Sequence, residues 1–150
     1  MLLISDANIL IDMEVGGLLE AIFRLDETFA VPDVLYSEEL EEHHPELPTL
    51  GLQVMQLGEG GVSAAMALVQ MYSGPSVNDL FALELARENN CPLLIGDRAL
   101  RKAAEQEGVQ LHGILWLVEQ MIRNGIVPLE RAEQAYKECE TGGGGCRGMR

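Results

Sequence analysis

Five short apolar runs recur along this chain, each bounded by Asp, Pro or Gly and separated from the next by longer segments with helical periodicity. They are Leu2–Ser5, Phe29–Val31, Val54–Leu57, Pro92–Ile95 and Val109–His112. None alternates apolar with polar residues, so each reads as a strand buried on both faces. Such strands belong in a parallel sheet covered by helices. The intervening segments supply those helices. Ile9–Phe23 is apolar on one side and interrupted at Gly16-Gly17, and Asp33 is placed to cap a helix over Val34–Glu42 that must stop before Pro45. Further helices are expected over Ser63–Tyr72, with Ala64, Ala67, Leu68 and Met71 on one stripe, and over Asn78–Asn89, burying Leu80, Phe81, Leu83 and Leu85. Ala99–Glu107 stops at Gly108 and Ile114–Asn124 stops at Gly125. Pro128 opens a last helix that carries Leu129, Ala132, Tyr136 and Cys139 at helical spacing.

One domain over residues 1–140 is expected, followed by a glycine-rich disordered tail over 141–150. The 150 residues suffice for a core without staples, and 47% hydrophobic against 23% charged residues is an ordinary globular balance. Cys91, Cys139 and Cys146 form neither a CxxC pair nor an even set, and only His43, His44 and His112 could join them, so a Cys/His zinc site has little support. No basic leader precedes Asp6, and no apolar run approaches the ~18 residues of a membrane span. The expected location is the cytoplasm, away from membranes.

The formal charge is −14, from 10 Lys+Arg and 24 Asp+Glu. A broad basic surface for nucleic acid is thereby excluded. A small site that meets phosphate through metal ions is not. Two strands end in aspartate, Leu2–Ser5 in Asp6 and Pro92–Ile95 in Asp97 by way of Gly96. In an open parallel sheet ligands bind beyond the carboxyl ends of the strands, where the winding reverses. If the chain starts in the middle of the sheet, these two strands are neighbours and their aspartates face each other. Either one alone could simply cap the next helix. Ser76-Val77-Asn78-Asp79 reads as a capping box, but the helix it opens runs into the strand carrying Asp97, so Asp79 begins near the same edge. Glu38, Glu39, Glu41 and Glu42 form an acidic run, and spacing alone does not choose among them. Carboxylates without His or Cys suit a hard cation, Mg2+ or Mn2+.

Asp6-Ala7-Asn8, Val31-Pro32 ahead of Glu39-Leu40, Ser76 with Asp79, and Leu94-Ile95-Gly96-Asp97-Arg98-Ala99-Leu100 followed by Gly108-Val109 and His112-Gly113-Ile114-Leu115 together resemble the PIN-domain family, the fold of VapC-type toxin ribonucleases and their relatives. The resemblance runs in order from Met1 to about Asn124 and is most specific over Leu94–Leu117. It implies an α/β fold, a three-layer α/β/α sandwich on a parallel sheet of order 3-2-1-4-5. It also implies a metal-dependent endoribonuclease that hydrolyses RNA phosphodiester bonds with Mg2+ or Mn2+, as the toxin of a toxin–antitoxin pair. Carried over by position, Asp6, Glu39, Asp79 and Asp97 match the acidic quartet. Asp6, Asp79 and Asp97 would hold metal, and Glu39 would ligate it or position the attacking water. Asn8 would orient Asp6, and Ser76 would support Asp79. Ile95 stands two residues before Asp97, where many members carry Thr.

Arg98, Arg101 and Lys102 flank Asp97 and could steer substrate phosphate. Their plainer reading is a solvated helix face with an Arg101–Glu105 pair. His43-His44 reads as an exposed helix end, Trp116 as packing, and Asp12 has no assigned role. The implied partners are RNA, a basic antitoxin drawn by the acidic surface, and a second copy in a homodimer. Two alternatives stand beside the nuclease: a catalytically silent PIN-like binding module, and a receiver-type phospho-acceptor. The receiver needs an Asp after the third strand, where Gly58-Glu59 stands, and a Lys after a later strand, where none follows His112.

Overall fold

The computed structural model describes residues 1–141, so the tail from Gly142 onward lies outside the described residues, as do the side chains of Tyr136 and Cys139. Five parallel strands form one sheet: β1 (Leu2–Ser5), β2 (Thr28–Pro32), β3 (Gln53–Met55), β4 (Leu93–Leu94) and β5 (Leu111–His112), in the order β3-β2-β1-β4-β5. The expected order holds, and with it the α/β class. A receiver sheet runs 2-1-3-4-5, so this sheet is not that arrangement. β1 lies at the centre, paired on one side through Ile4↔Ala30 and on the other through Ser5↔Leu94. Leu3, Ile4, Phe29, Ala30, Val31, Leu93 and Leu94 are buried whichever face they point to, as the unbroken apolar runs require.

The first crossover is α1 (Ala7–Val15) and the short α2 (Leu19–Ile22), parted at the expected glycine pair, where Gly17 takes φ +72°. The next holds α3 (Asp33–Leu35), a π-helical turn over Tyr36–Leu40 and α4 (Leu47–Leu50); α5 (Gly61–Met71) and α6 (Val77–Asn89) then return the chain to β4. α7 (Arg98–Gln106), α8 (Ile114–Arg123) and α9 (Leu129–Thr141) complete the described chain. α6 packs on β1, β2 and β4 and gathers α5 and α7 beside it, whereas α1 and α8 both meet α2 and α9. These are the two helical layers. Among the described residues no helix is long and apolar enough to cross a membrane.

Four sequence expectations need correction. The helix after β2 is not one α-helix over Val34–Glu42 capped by Asp33. Pro32 holds the cap position, Asp33 is the first helical residue, and the backbone widens so that Glu41 N–H donates to Tyr36 O at 2.8 Å. This extra residue per turn turns Leu35, Tyr36 and Leu40 inward and leaves Glu39 exposed. On α5 the inward positions are Gly61, Ala65 and Leu68, while Ala67 and Met71 face solvent, Met71 at 65%. Close approach at Gly61 sets that phase, because a Cβ there would collide with the Glu88 carboxylate and with Leu57 Cβ. The histidine pair is not a simple exposed end either: His44 is largely covered and its Nδ1 pairs with Glu14. The Arg101–Glu105 pair is absent from the ion pairs among the described residues, although both side chains are exposed.

Candidate active site

The carboxyl ends of β1 and β4 meet at Asp6. Its backbone N–H donates to Leu94 O at 3.1 Å, which continues the β1–β4 ladder one residue past the strand. Its side chain then serves both crossovers. Oδ1 accepts from Ile9 N–H at 2.9 Å and so caps α1, and Oδ2 accepts from Gly96 N–H at 2.9 Å, from the loop that leads out of β4. Gly96 suits this place because a Cβ there would lie 3.2 Å from Asn8 Cβ. Asp6 is therefore oriented by two backbone amides, and Asn8 packs against the Gly96 loop. Asp6 is fully buried. Burial pushes its carboxyl up from 3.8 to about 7; the two amide bonds hold the rise back, and the charges of Asp79 and Asp97 add to it.

Asp97 occupies the equivalent position one strand over. It caps α7 by accepting from Leu100 N–H at 3.0 Å through Oδ2, and it is half-buried. Asp79 lies in the first turn of α6, whose N-cap is Ser76; Ser76 Oγ accepts from Asp79 N–H at 3.1 Å. The capping box forms, and it does not exhaust the aspartate. Burial raises the Asp79 carboxyl above the usual range, the hydrogen bonds from Ser76 lower it, and Asp97 and Glu39 raise it further. Cap and acidic cluster are one residue in two roles.

Glu39 reaches the cluster from the π-helical turn. Asn78, beside Asp79, donates from Nδ2 to Glu39 Oε2 at 3.0 Å. Spacing left Glu38 and Glu39 open, and this bond ties Glu39 to the start of α6. Asn78 was not singled out from sequence; its only signal there is an amide beside an N-terminal aspartate. Arg98, Arg101 and Lys102 are all exposed on α7, next to Asp97.

The quartet therefore gathers from β1–α1, the π-helical turn, α6 and β4–α7 at one edge of the sheet. Its donors are all oxygen, which fits a hard divalent cation by chemistry. Among the described residues no three of these groups stand close enough to form a ready-made cage, so Asp79, Asp97 and Glu39 would have to draw in around an ion. Ile95, where a hydroxyl residue could have supported Asp97, is instead buried in the core.

A model of the PIN domain matches residues 2–143, and the chain belongs to the PIN-domain family. PIN domains are generally nucleases and typically use divalent metals. No curated protein matches the chain.

Proposed function

We propose that this protein is a Mg2+- or Mn2+-dependent endoribonuclease that hydrolyses RNA phosphodiester bonds, acting in the cytoplasm as the toxin of a toxin–antitoxin pair. The observation behind this reading is the acidic edge. Four carboxylates from separate parts of the chain gather at one edge, and two of them, Asp6 and Asp79, are raised first by burial and then by the charge of their acidic neighbours. Like charges held together are costly unless a cation or a proton joins them.

Asp6, Asp79 and Asp97 would hold the metal, and Glu39 would ligate it or position the attacking water. When bound, such an ion polarises a phosphoryl oxygen and lowers the pKa of its water. The chain's own contribution is geometric. The amides of Ile9 and Gly96 fix Asp6, the first turn of α7 fixes Asp97, and Asn78 tethers Glu39 beside Asp79. Arg98, Arg101 and Lys102 would meet substrate phosphates flanking the scissile bond. The acidic surface favours a basic antitoxin as partner and would speed its association; a homodimer is the proposed assembly.

The test is cleavage of a panel of mixed single-stranded RNAs under Mg2+ and Mn2+ titration, comparing wild type with Asp97→Asn. Cleavage that needs metal and vanishes in the variant is the expected result. Neither cleavage nor metal binding would leave a PIN fold used only for binding.

A further inference from the structure

The only Trp of the chain packs in part against the core and also stacks on a second ring at the end of β5. His112 ends β5 and Trp116 sits in the first turn of α8, and their rings lie face to face, with centroids 3.9 Å apart and planes inclined by 10°. Both residues are only half-buried, and Leu115 between them is 54% exposed. Aromatic pairs in protein cores favour offset or edge-to-face contacts. Here two flat rings are aligned at a partly open surface. We propose that the His112–Trp116 stack is a platform on which one unpaired nucleobase of the substrate stacks while its phosphate lies at the carboxylate edge.

The topology puts the platform in the right place. His112 pairs with Leu94 in the sheet, and Ile95 N–H donates to His112 O at 3.0 Å, so the end of β5 adjoins the loop that carries Asp97. Strands β1, β4 and β5 are adjacent and spaced by about 4.8 Å each, so the end of β5 lies roughly 10 Å from the end of β1. A nucleotide step or two spans that distance. α7 packs against β5 from the other helical layer and carries the exposed Arg98, Arg101 and Lys102 next to Asp97. Burial lowers the His112 pKa, which favours the uncharged imidazole. Stacking on aromatic faces tolerates any base, so the platform adds affinity for single strands without reading sequence.

This inference rests on the nuclease reading for the identity of its ligand, but its test reads separately. Trp116, as the sole Trp, is its own probe. Wild-type protein without added divalent metal is titrated with a short single-stranded RNA and with an abasic strand of the same length, and Trp fluorescence is followed. Quenching by the RNA but not by the abasic strand is expected. With metal present, Trp116→Leu should raise KM for cleavage by about tenfold with kcat retained, and Trp116→Phe should restore most of the loss. Cooperative melting of both variants checks that they fold. Quenching without cleavage would keep the platform and sink the nuclease. Cleavage without quenching, or with Trp116→Leu kinetics like wild type, would sink the platform and keep the nuclease. No quenching by any single strand overturns the platform whatever the cleavage assay shows.

Discussion

The two ends of α6 carry the same kinds of side chain and use them in opposite ways. At the C-terminal end, Arg87 lies 3.1 Å from Glu107 and 3.8 Å from the buried Glu84, and Tyr72 donates its hydroxyl to Glu107 at 2.5 Å. Glu88 accepts Gly58 N–H on both carboxylate oxygens at 3.0 Å. Burial pushes Glu84 up and Arg87 pulls it back. At the N-terminal end the neutral Ser76 and Asn78 serve as donors, and each acid's charge is felt by the next: Asp97 and Glu39 on Asp79, and Asp79 and Asp97 on Asp6. The acid count does not distinguish the two ends. What distinguishes them is Arg87, which stands among the acids of the first end, whereas at the second the acids raise one another.

The largest effect should come from breaking the N-terminal, acidic end. Asp97→Asn is expected to lower cleavage by more than about 100-fold, because even outer-shell partners of a metal cost about 10–100-fold when lost. Arg87→Met, at the other end of the same helix, should leave cleavage within about twofold. Equal losses in single-turnover cleavage by the two variants would erase the distinction drawn between the ends.

The second effect is a pH dependence in the metal-free protein. The folded pKa of Asp6, about 7, lies above its unfolded value of 3.8, so the folded state binds the proton more tightly. Its contribution to stability is therefore greatest at the acid end and declines as pH rises from about 4 to about 7, after which it is flat. Asp79 shifts in the same direction. Denaturant melts of wild type and Asp6→Asn across that window should show a steeper fall with pH for wild type. Added Mg2+ or Mn2+ at pH 8 should restore stability to wild type alone. A wild-type profile parallel to that of the Asn variant would show that Asp6 does not ionise against its neighbours.

A smaller loss is expected in stability when the compensated end is broken. Arg87→Met leaves Glu84 and Glu107 without their guanidinium. Because the Arg87 side chain is 39% exposed, solvent screens the pair, and the cost should be about 1 kcal/mol. That corresponds to about 2–4 °C in Tm for a chain of this size. A shift well beyond this range would mean that Arg87 is held in a drier setting than its exposure indicates.

How much of this was legible depended on whether the signal was local. The parallel sheet followed from apolar runs with no alternation, and β1 was delimited to the residue. Two strand-end aspartates could be paired because topology alone brings adjacent strand ends together. The phase of α5 was misread because Gly61–Met71 contains no charged residue to mark the wet side, and a contact across to Glu88 decides it. The short α4, Leu47–Leu50, was missed just after Pro45 and with Pro48 in its first turn, where no periodicity can develop in four residues. The π-helical turn is likewise invisible in spacing, because widening the helix by one residue is settled by which of Leu35, Tyr36 and Leu40 the core accepts. His112 and Trp116 are four apart but span a strand end and a helix start, so neither period connects them.

The choice between Glu38 and Glu39 is where that limit bears on chemistry, and it can be sharpened by the smallest of the expected effects. Both are exposed in the π-helical turn, and only Glu39 is tied to the α6 N-terminus, through Asn78. A hydrogen bond to a charged group is worth about 1.5–3 kcal/mol net, and solvent at this exposed site brings it toward the ordinary ~0.5–1.5 kcal/mol. Asn78→Ala should therefore lower kcat by about two- to tenfold with KM unchanged, since the lost bond positions a side chain and does not hold substrate. Glu39→Gln should cost more than Asn78→Ala, and adding Asn78→Ala to it should cost little further, because the two act through one bond. Glu38→Gln should be silent. If Glu38→Gln is the more damaging of the two glutamate variants, the tether does not mark the working glutamate, and the widened turn must present Glu38 to the cluster once an ion draws the carboxylates together.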